Sequence, residues 1–144
     1  MDAALGLVAT LCAGFFAGAA LYITAVEQPA RLAIPTAAAL AEFRPGFPRA
    51  ATMQAALAFL GAVAAFTLRL RGGGIGWLVA ATCLGSVLAF TLIAVRPLYQ
   101  ALLDPVLDTA STAARTLLLR WGRLHAVRTA LGLIAFVSCL TMLT

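Results

Sequence analysis

The only histidine of the chain, His125, stands in the stretch LLLRWGRLHAVRTALG, with Trp121 before it and Arg128 after it. The apolar run that follows is long enough to cross a bilayer. Helical spacing puts Trp121, His125, Arg128 and Gly132 on one face, at i, i+4, i+7 and i+11. Charged groups are costly at membrane depth and usually face a bundle interior or a wet cavity, so this face is the first candidate for chemistry. Counting along the other apolar runs brings Glu27, Gln28, Arg49, Gln54, Arg96 and Tyr99 to the same end. Convergent polar groups at one end of an apolar bundle describe a pocket.

The residue types limit what such a pocket can do. An imidazole titrates near neutral pH and can move a proton to or from a substrate. The arginines can hold an anionic or phenolate oxygen, or simply meet lipid headgroups. Glu27 reads equally as an acid/base or ligand group in a cavity and as an interfacial carboxylate paired with Arg31. His125 and Glu27 give only two good metal ligands, whereas catalytic zinc normally uses three. A two-histidine, one-carboxylate iron site and a bis-histidine haem both need a second histidine. The cofactor expectation is therefore none or a single metal ion on His125 and Glu27, with haem less favoured. The chain has no Ser-His-Asp pattern, P-loop, dinucleotide fingerprint or CxxCH.

Composition sets the frame for these residues. The 144 residues are 63% hydrophobic and 10% charged, and mean hydropathy is +1.02. Soluble domains carry about 25% charged residues, so the chain reads as an all-α integral membrane protein with one domain, residues 1–144. Its net charge of +5 comes from ten arginines and no lysine. These lie at the ends of apolar runs without a basic stripe, which points to membrane topology and away from nucleic acid. Cys12, Cys83 and Cys139 each sit inside an apolar run and form no CxxC, so they read as packing residues. The expected partners are the lipid bilayer and a small hydrophobic ligand, with a homo-oligomer left open; the expected compartment is a bacterial inner membrane.

Four spans follow from the hydropathy pattern, at about 3–26, 50–70, 75–95 and 124–143. Gly14 and Gly18 make a GxxxG that favours close helix packing. Pro29 is expected to end the first helix. A long connection over residues 30–49, punctuated by Pro35, Pro45, Gly46 and Pro48, holds at most a short interfacial helix at TAAALAEF. Arg69 to Gly74 reads as a tight turn, and Trp77 as an interfacial tryptophan. Residues 98–120 are amphipathic and can run after Asp104-Pro105 straight into the fourth span, with Asp104 or Asp108 at its start. Arginine counts favour placing the long connections in the cytoplasm, while Arg69 and Arg71 in the short turn argue the other way.

Four stretches carry a resemblance: GFFAGAALYITAVEQPARL, FRPGFPRAATMQAALAFLG, the RPLYQ end of span three and LLLRWGRLHAVRTALG. Together they resemble the DUF1772 family of four-helix membrane proteins, also described as anthrone oxygenase-like. The most specific parts are VEQPAR, PRAATMQ and W-x3-H-x2-R-T. Fungal members are implicated in oxidising anthrones to anthraquinones. Carried onto this sequence, the resemblance implicates Glu27, Pro29, Arg31, Arg49, Gln54, Trp121, His125 and Arg128. The family pattern has a histidine where this chain has Gln28, and glutamine is a poor transition-metal ligand. The resemblance implies an oxygenase-like enzyme for a hydrophobic aromatic or quinone-like substrate, with His125 as base or ligand, Glu27 as its partner, and Arg49 and Arg128 as anion holders; with the residues that converge on the same end, Trp121, Gln28, Gln54, Arg31, Arg96 and Tyr99 are expected to line the substrate site. The opposing reading is a non-catalytic membrane protein that binds lipid or a partner.

Overall fold

The computed structural model describes residues 2–143. Its frame is four helices: α1 (Asp2–Ala33), α2 (Thr36–Leu70), α3 (Ile75–Leu103) and α4 (Thr112–Leu140). All four are long and apolar enough to cross a membrane, and the described residues contain no strand. The protein is a multi-pass integral membrane protein. Each helix packs mainly on its two chain neighbours and α1 closes against α4, giving an up-down-up-down bundle. Helices are the natural solution here, because hydrocarbon offers no partner to an open backbone group.

Pro29, expected to end the first helix, does not, and neither does Pro97. Both Pro29 and Pro97 follow a π turn, Ile23–Glu27 in α1 and Thr91–Val95 in α3. The residue before each proline closes the wide turn, Gln28 N–H donating to Ile23 O and Arg96 N–H to Thr91 O. A proline lacks the N–H for the i−4 carbonyl and its ring crowds that carbonyl; the widened turn absorbs both problems and the helix continues.

The expected long connection between the first two spans is corrected to two residues, Ile34 and Pro35. Ile34 is extended, as a residue before proline prefers. α2 then runs unbroken through Pro45 and Pro48. Burial of Leu40, Phe43 and Phe47 along this segment outweighs the lost backbone bonds. Between α3 and α4 the chain is non-helical from Asp104 to Ser111, so the helical lead into the fourth span begins only at Thr112. The cap is Ser111, whose Oγ accepts from Ala114 N at 3.1 Å. Asp104 and Asp108 instead accept from Val106 N and Ala110 N within the loop.

Several arginines counted as topology signals hold helix ends. Arg44 donates to the Leu102 and Asp104 carbonyls at the end of α3. Arg115 does the same for Leu32 at the end of α1. At the opposite end, Gly72 takes a positive φ of 86° and Gly73 N–H reaches back to Leu68 O at 3.0 Å, a Schellman closure of α2. Trp77 is buried beneath this turn, close to Gly6 and Gly73.

Candidate functional site

The buried side of α4 is a strict alternation of four- and three-residue steps: Ala114, Leu118, Trp121, His125, Arg128, Gly132, Ala135 and Cys139. This is the 3.5-residue repeat of helices packed in a bundle. It carries His125 and Arg128 into the interior, 1% and 3% exposed. Opposite them stand Gln54 of α2, also buried, and the end of α1. The π turn shifts the inward face of α1 by one residue, so that Ala20 and Thr24 are followed by Gln28 and Arg31 on the interior side. Glu27, expected on that face, sits at its edge and is half-buried.

These residues enclose a small chamber of about 60 Å³. Glu27 and Arg31 of α1, Phe43, Phe47 and Gln54 of α2, and Trp121, His125 and Arg128 of α4 form its main walls. Trp121 stacks on the imidazole with ring centroids 5.0 Å apart and an interplanar angle of 20°. Phe43 meets the indole edge-on at 5.0 Å. The Arg31 guanidinium lies over both rings, 5.4 Å from Phe43 and 5.8 Å from Trp121. Arg31 is in turn held by two carboxylates, Glu27 and Glu42.

Arg128 has no such partner. Its Nη2 donates to Gln54 Oε1 at 3.0 Å, its Nη1 stands 3.4 Å from His125 Nδ1, and its guanidinium carbon lies 5.8 Å from the Phe16 ring centroid. No carboxylate among the described residues pairs with it. The 3.4 Å approach is too long to fix the tautomer of the imidazole. The Thr129 hydroxyl bridges this layer to α1, within hydrogen-bond distance of the Ala20 carbonyl and the Thr24 hydroxyl.

Among the described residues, five buried side-chain polar atoms have no protein hydrogen-bond partner: Gln28 Oε1, Arg31 Nη1, Trp121 Nε1, His125 Nε2 and Arg128 Nε. All five belong to the chamber or its border. An unpartnered polar atom in hydrocarbon costs several kcal/mol by general estimates. Their concentration in one place sets this end apart from the rest of the described core.

The structure separates the candidate residues into two groups. Glu27, Arg31, Gln54, Trp121, His125 and Arg128 line the chamber. Gln28 is buried beside it, its Nε2 donating to Leu118 O at 2.9 Å and its side chain packed on Gly122. Arg49 is exposed and folds back onto the Pro45 carbonyl at 2.6 Å, outside the chamber and unable to act there as an anion holder. Arg96 is exposed, and Tyr99 rests against the outer side of Phe47 at 4.7 Å. The expectation that all four spans contribute is thus corrected to three, because α3 supplies no lining residue. Glu42, Phe43 and Phe47 were not singled out by the sequence. The available signal was that Glu42 is one of only five acids and that Phe43 and Phe47 are spaced i, i+4.

The donor set does not fit a metal. Glu27 is engaged by Arg31, the guanidinium groups of Arg31 and Arg128 both face the chamber, and the unpartnered donor atoms among the described residues there are only the imidazole Nε2 and the amide Oε1 of Gln28, a poor transition-metal ligand. No cluster of three or more His, Cys, Asp or Glu side chains forms among the described residues. Cys12, Cys83 and Cys139 lie apart from the chamber and are unbridged. Of the GxxxG pair, Gly14 packs closely on Phe136 while Gly18 has nothing within 4 Å.

A family model described as anthrone oxygenase matches residues 43–138, about two thirds of the chain. The match includes Phe43, Phe47, Gln54, Trp121, His125 and Arg128; Glu27 and Arg31 precede it. No curated protein matches the chain, and no solved structure does.

Proposed function

Because the chain belongs to the anthrone oxygenase family, we propose that it oxidises a hydrophobic, enolisable aromatic or quinone-like substrate at this end of the bundle, in a bacterial inner membrane. The observation that carries the reading is one pair of side chains. An imidazole with an unpartnered Nε2 stands beside a buried guanidinium that no carboxylate neutralises.

The pair suits a reaction that makes an anion before it meets oxygen. The His125 imidazole takes a proton from a CH₂ group activated by a conjugated carbonyl. The negative charge moves to the substrate oxygen, where the Arg128 guanidinium, pre-oriented by Gln54, stabilises it. Dioxygen adds at the carbanion carbon, and the proton returns from His125 to the resulting peroxide. Loss of water leaves a ketone, so CH₂ and O₂ become C=O and H₂O. The carbon supplies four electrons and dioxygen receives them. Trp121 keeps the imidazole in place by stacking and is itself braced edge-on by Phe43, and the Glu27–Arg31–Glu42 group closes the chamber on its outer side.

The test is oxygen uptake by detergent-solubilised protein supplied with anthrone. Wild type should exceed the uncatalysed rate, and His125→Ala should lower the excess by about 10²-fold or more. Equal uptake by the variant would sink the mechanism. Uptake at the uncatalysed rate by wild type would favour the binding-protein reading.

A further inference from the structure

The chamber is too small for the substrate class just proposed. About 60 Å³ admits a few water-sized molecules, whereas pockets for drug-sized ligands run to roughly 300–1,000 Å³. A second cavity supplies the missing room. Between α2 and α3 an apolar cleft of about 320 Å³ is walled by Ala51, Ala55, Phe59, Val87, Leu88 and Leu92. Its outer rim is exposed at Ala55, Phe59 and Leu92, on the surface a bilayer would cover. Phe47, Ala51 and Arg128 line both this cleft and the chamber.

The cleft therefore has an unusual inner end. Everything along it is apolar save Thr91, yet it stops at a guanidinium that is 3% exposed, has an unpartnered Nε and lacks a carboxylate. A buried cation of this kind is costly unless something negative meets it. A lipid acyl chain would satisfy the walls and leave the cation unmet. A flat fused-ring system bearing one ionisable oxygen satisfies both.

We propose that the α2–α3 cleft binds the planar ring system of a polycyclic phenol or enol, entering sideways from the bilayer with its oxygen directed to Arg128. The inference rests on the function proposed above. Ala51 and Ala55 are then specificity-determining: their small side chains leave the slot open. A second apolar cleft on the same helix pair, walled in part by Ala62, Thr82 and Gly85, has no charged end and serves as the control.

The experiment is equilibrium binding of 2-hydroxyanthraquinone and its methyl ether to the full chain in detergent, read by quenching of tryptophan emission. Ala55→Phe places a ring in the slot from an exposed position, so the fold should tolerate it; Ala55→Leu is the milder step if it does not. Wild type should bind the phenol saturably and in preference to the ether. Ala55→Phe should weaken phenol binding at least tenfold, Thr82→Phe should leave it unchanged, and Arg128→Gln should erase the preference for phenol over ether. Absence of saturable binding by wild type, unchanged affinity in Ala55→Phe, equal loss in Thr82→Phe, or a preference that survives Arg128→Gln each overturns the proposal. Binding as expected without oxygen uptake would leave the cleft standing and remove the oxidation. Uptake in wild type with no effect of Ala55→Phe on binding would do the reverse.

Discussion

At the end of the bundle that carries the chain termini, the core is Ala9, Ala13, Ala58, Ala65, Ala80 and Ala135, with Phe16, Leu84 and Trp77 set among them. Its glycines fit large neighbours closely: a Cβ on Gly132 would stand 2.7 Å from Phe16, and one on Gly61 would stand 2.8 Å from Leu84. At the other end the core is Leu40, Phe43, Phe47, Leu98, Leu118 and Trp121, and the five unpartnered polar atoms gather beside or within it. Small residues let helix backbones approach, which is how helices associate when lipid removes the hydrophobic drive between them. Large rings hold helices apart and leave gaps, and here the gaps are lined with polar groups. The first end therefore keeps the bundle together. The second gives up hydrogen-bond satisfaction around the proposed site, the pattern expected where stability and function compete.

If that division is right, replacing the polar pair by apolar residues should affect activity and stability in opposite ways. In the double variant Arg128→Met, Gln54→Leu, both partners of their mutual hydrogen bond are removed together, so neither is left stranded by loss of the other. Oxygen uptake should fall by about 10²–10³-fold, the usual effect of losing a preformed oxyanion donor. Thermal stability in detergent should hold or rise, because exchanging a buried charge for well-packed apolar groups is often neutral or stabilising. A large loss of stability would mean that Arg128 is a structural strut and would break the contrast.

The packing end should give the opposite result. Gly132→Leu drives a side chain into Phe16 and the Ala17 backbone, and should cost about 1–3 kcal/mol. Gly18→Leu, on the open half of the GxxxG, has nothing within 4 Å to strike and should cost little. Unfolding midpoints of the two variants, compared with wild type, provide the check. Equal losses would show that Gly18 packs against something outside the single chain, such as a second copy.

How much of this the sequence reveals depends on the kind of information needed. The heptad steps of α4 are written in the spacing of Trp121, His125, Arg128 and Gly132, and the structure keeps that face intact. Height along the bundle axis is also legible, because counting from a span end measures it. Azimuth is not. Arg49, Arg96 and Tyr99 share the level of the chamber but point elsewhere, and a residue count carries no information about that rotation. The π turns compound the problem. One inserted residue before Pro29 leaves Glu27 at the edge and puts Gln28 and Arg31 inside. Local chemistry also misleads at residues 35–48, where three prolines and a glycine read as loop. The aromatic packing that makes this segment a helix, Phe43 and Phe47 on Trp121, joins residues more than seventy positions apart.

The two ends also differ in their ion pairs, and this is the smallest effect to measure. Arg71–Asp2, at the packing end, joins side chains that are 38% and 64% exposed over 2.7 Å. Such pairs are worth about 0–1 kcal/mol, so Asp2→Asn should barely move the unfolding midpoint and should do so less as salt is added. Arg31, with only 7% of its side chain exposed, relies on Glu27 and Glu42 to balance its charge beside the chamber. Glu42→Gln keeps the shape and removes one of the two negative charges. The Glu42 side chain is itself 51% exposed, which discounts the loss to about 1 kcal/mol. Adding salt should do little to this loss, because the guanidinium is shielded from solvent. The variant should also loosen Arg31 over Phe43 and Trp121, and so change tryptophan emission, which Asp2→Asn has no means of doing. Matching shifts in both variants, with matching salt dependence, would make Arg31 an ordinary surface arginine and remove the outer wall of the proposed site.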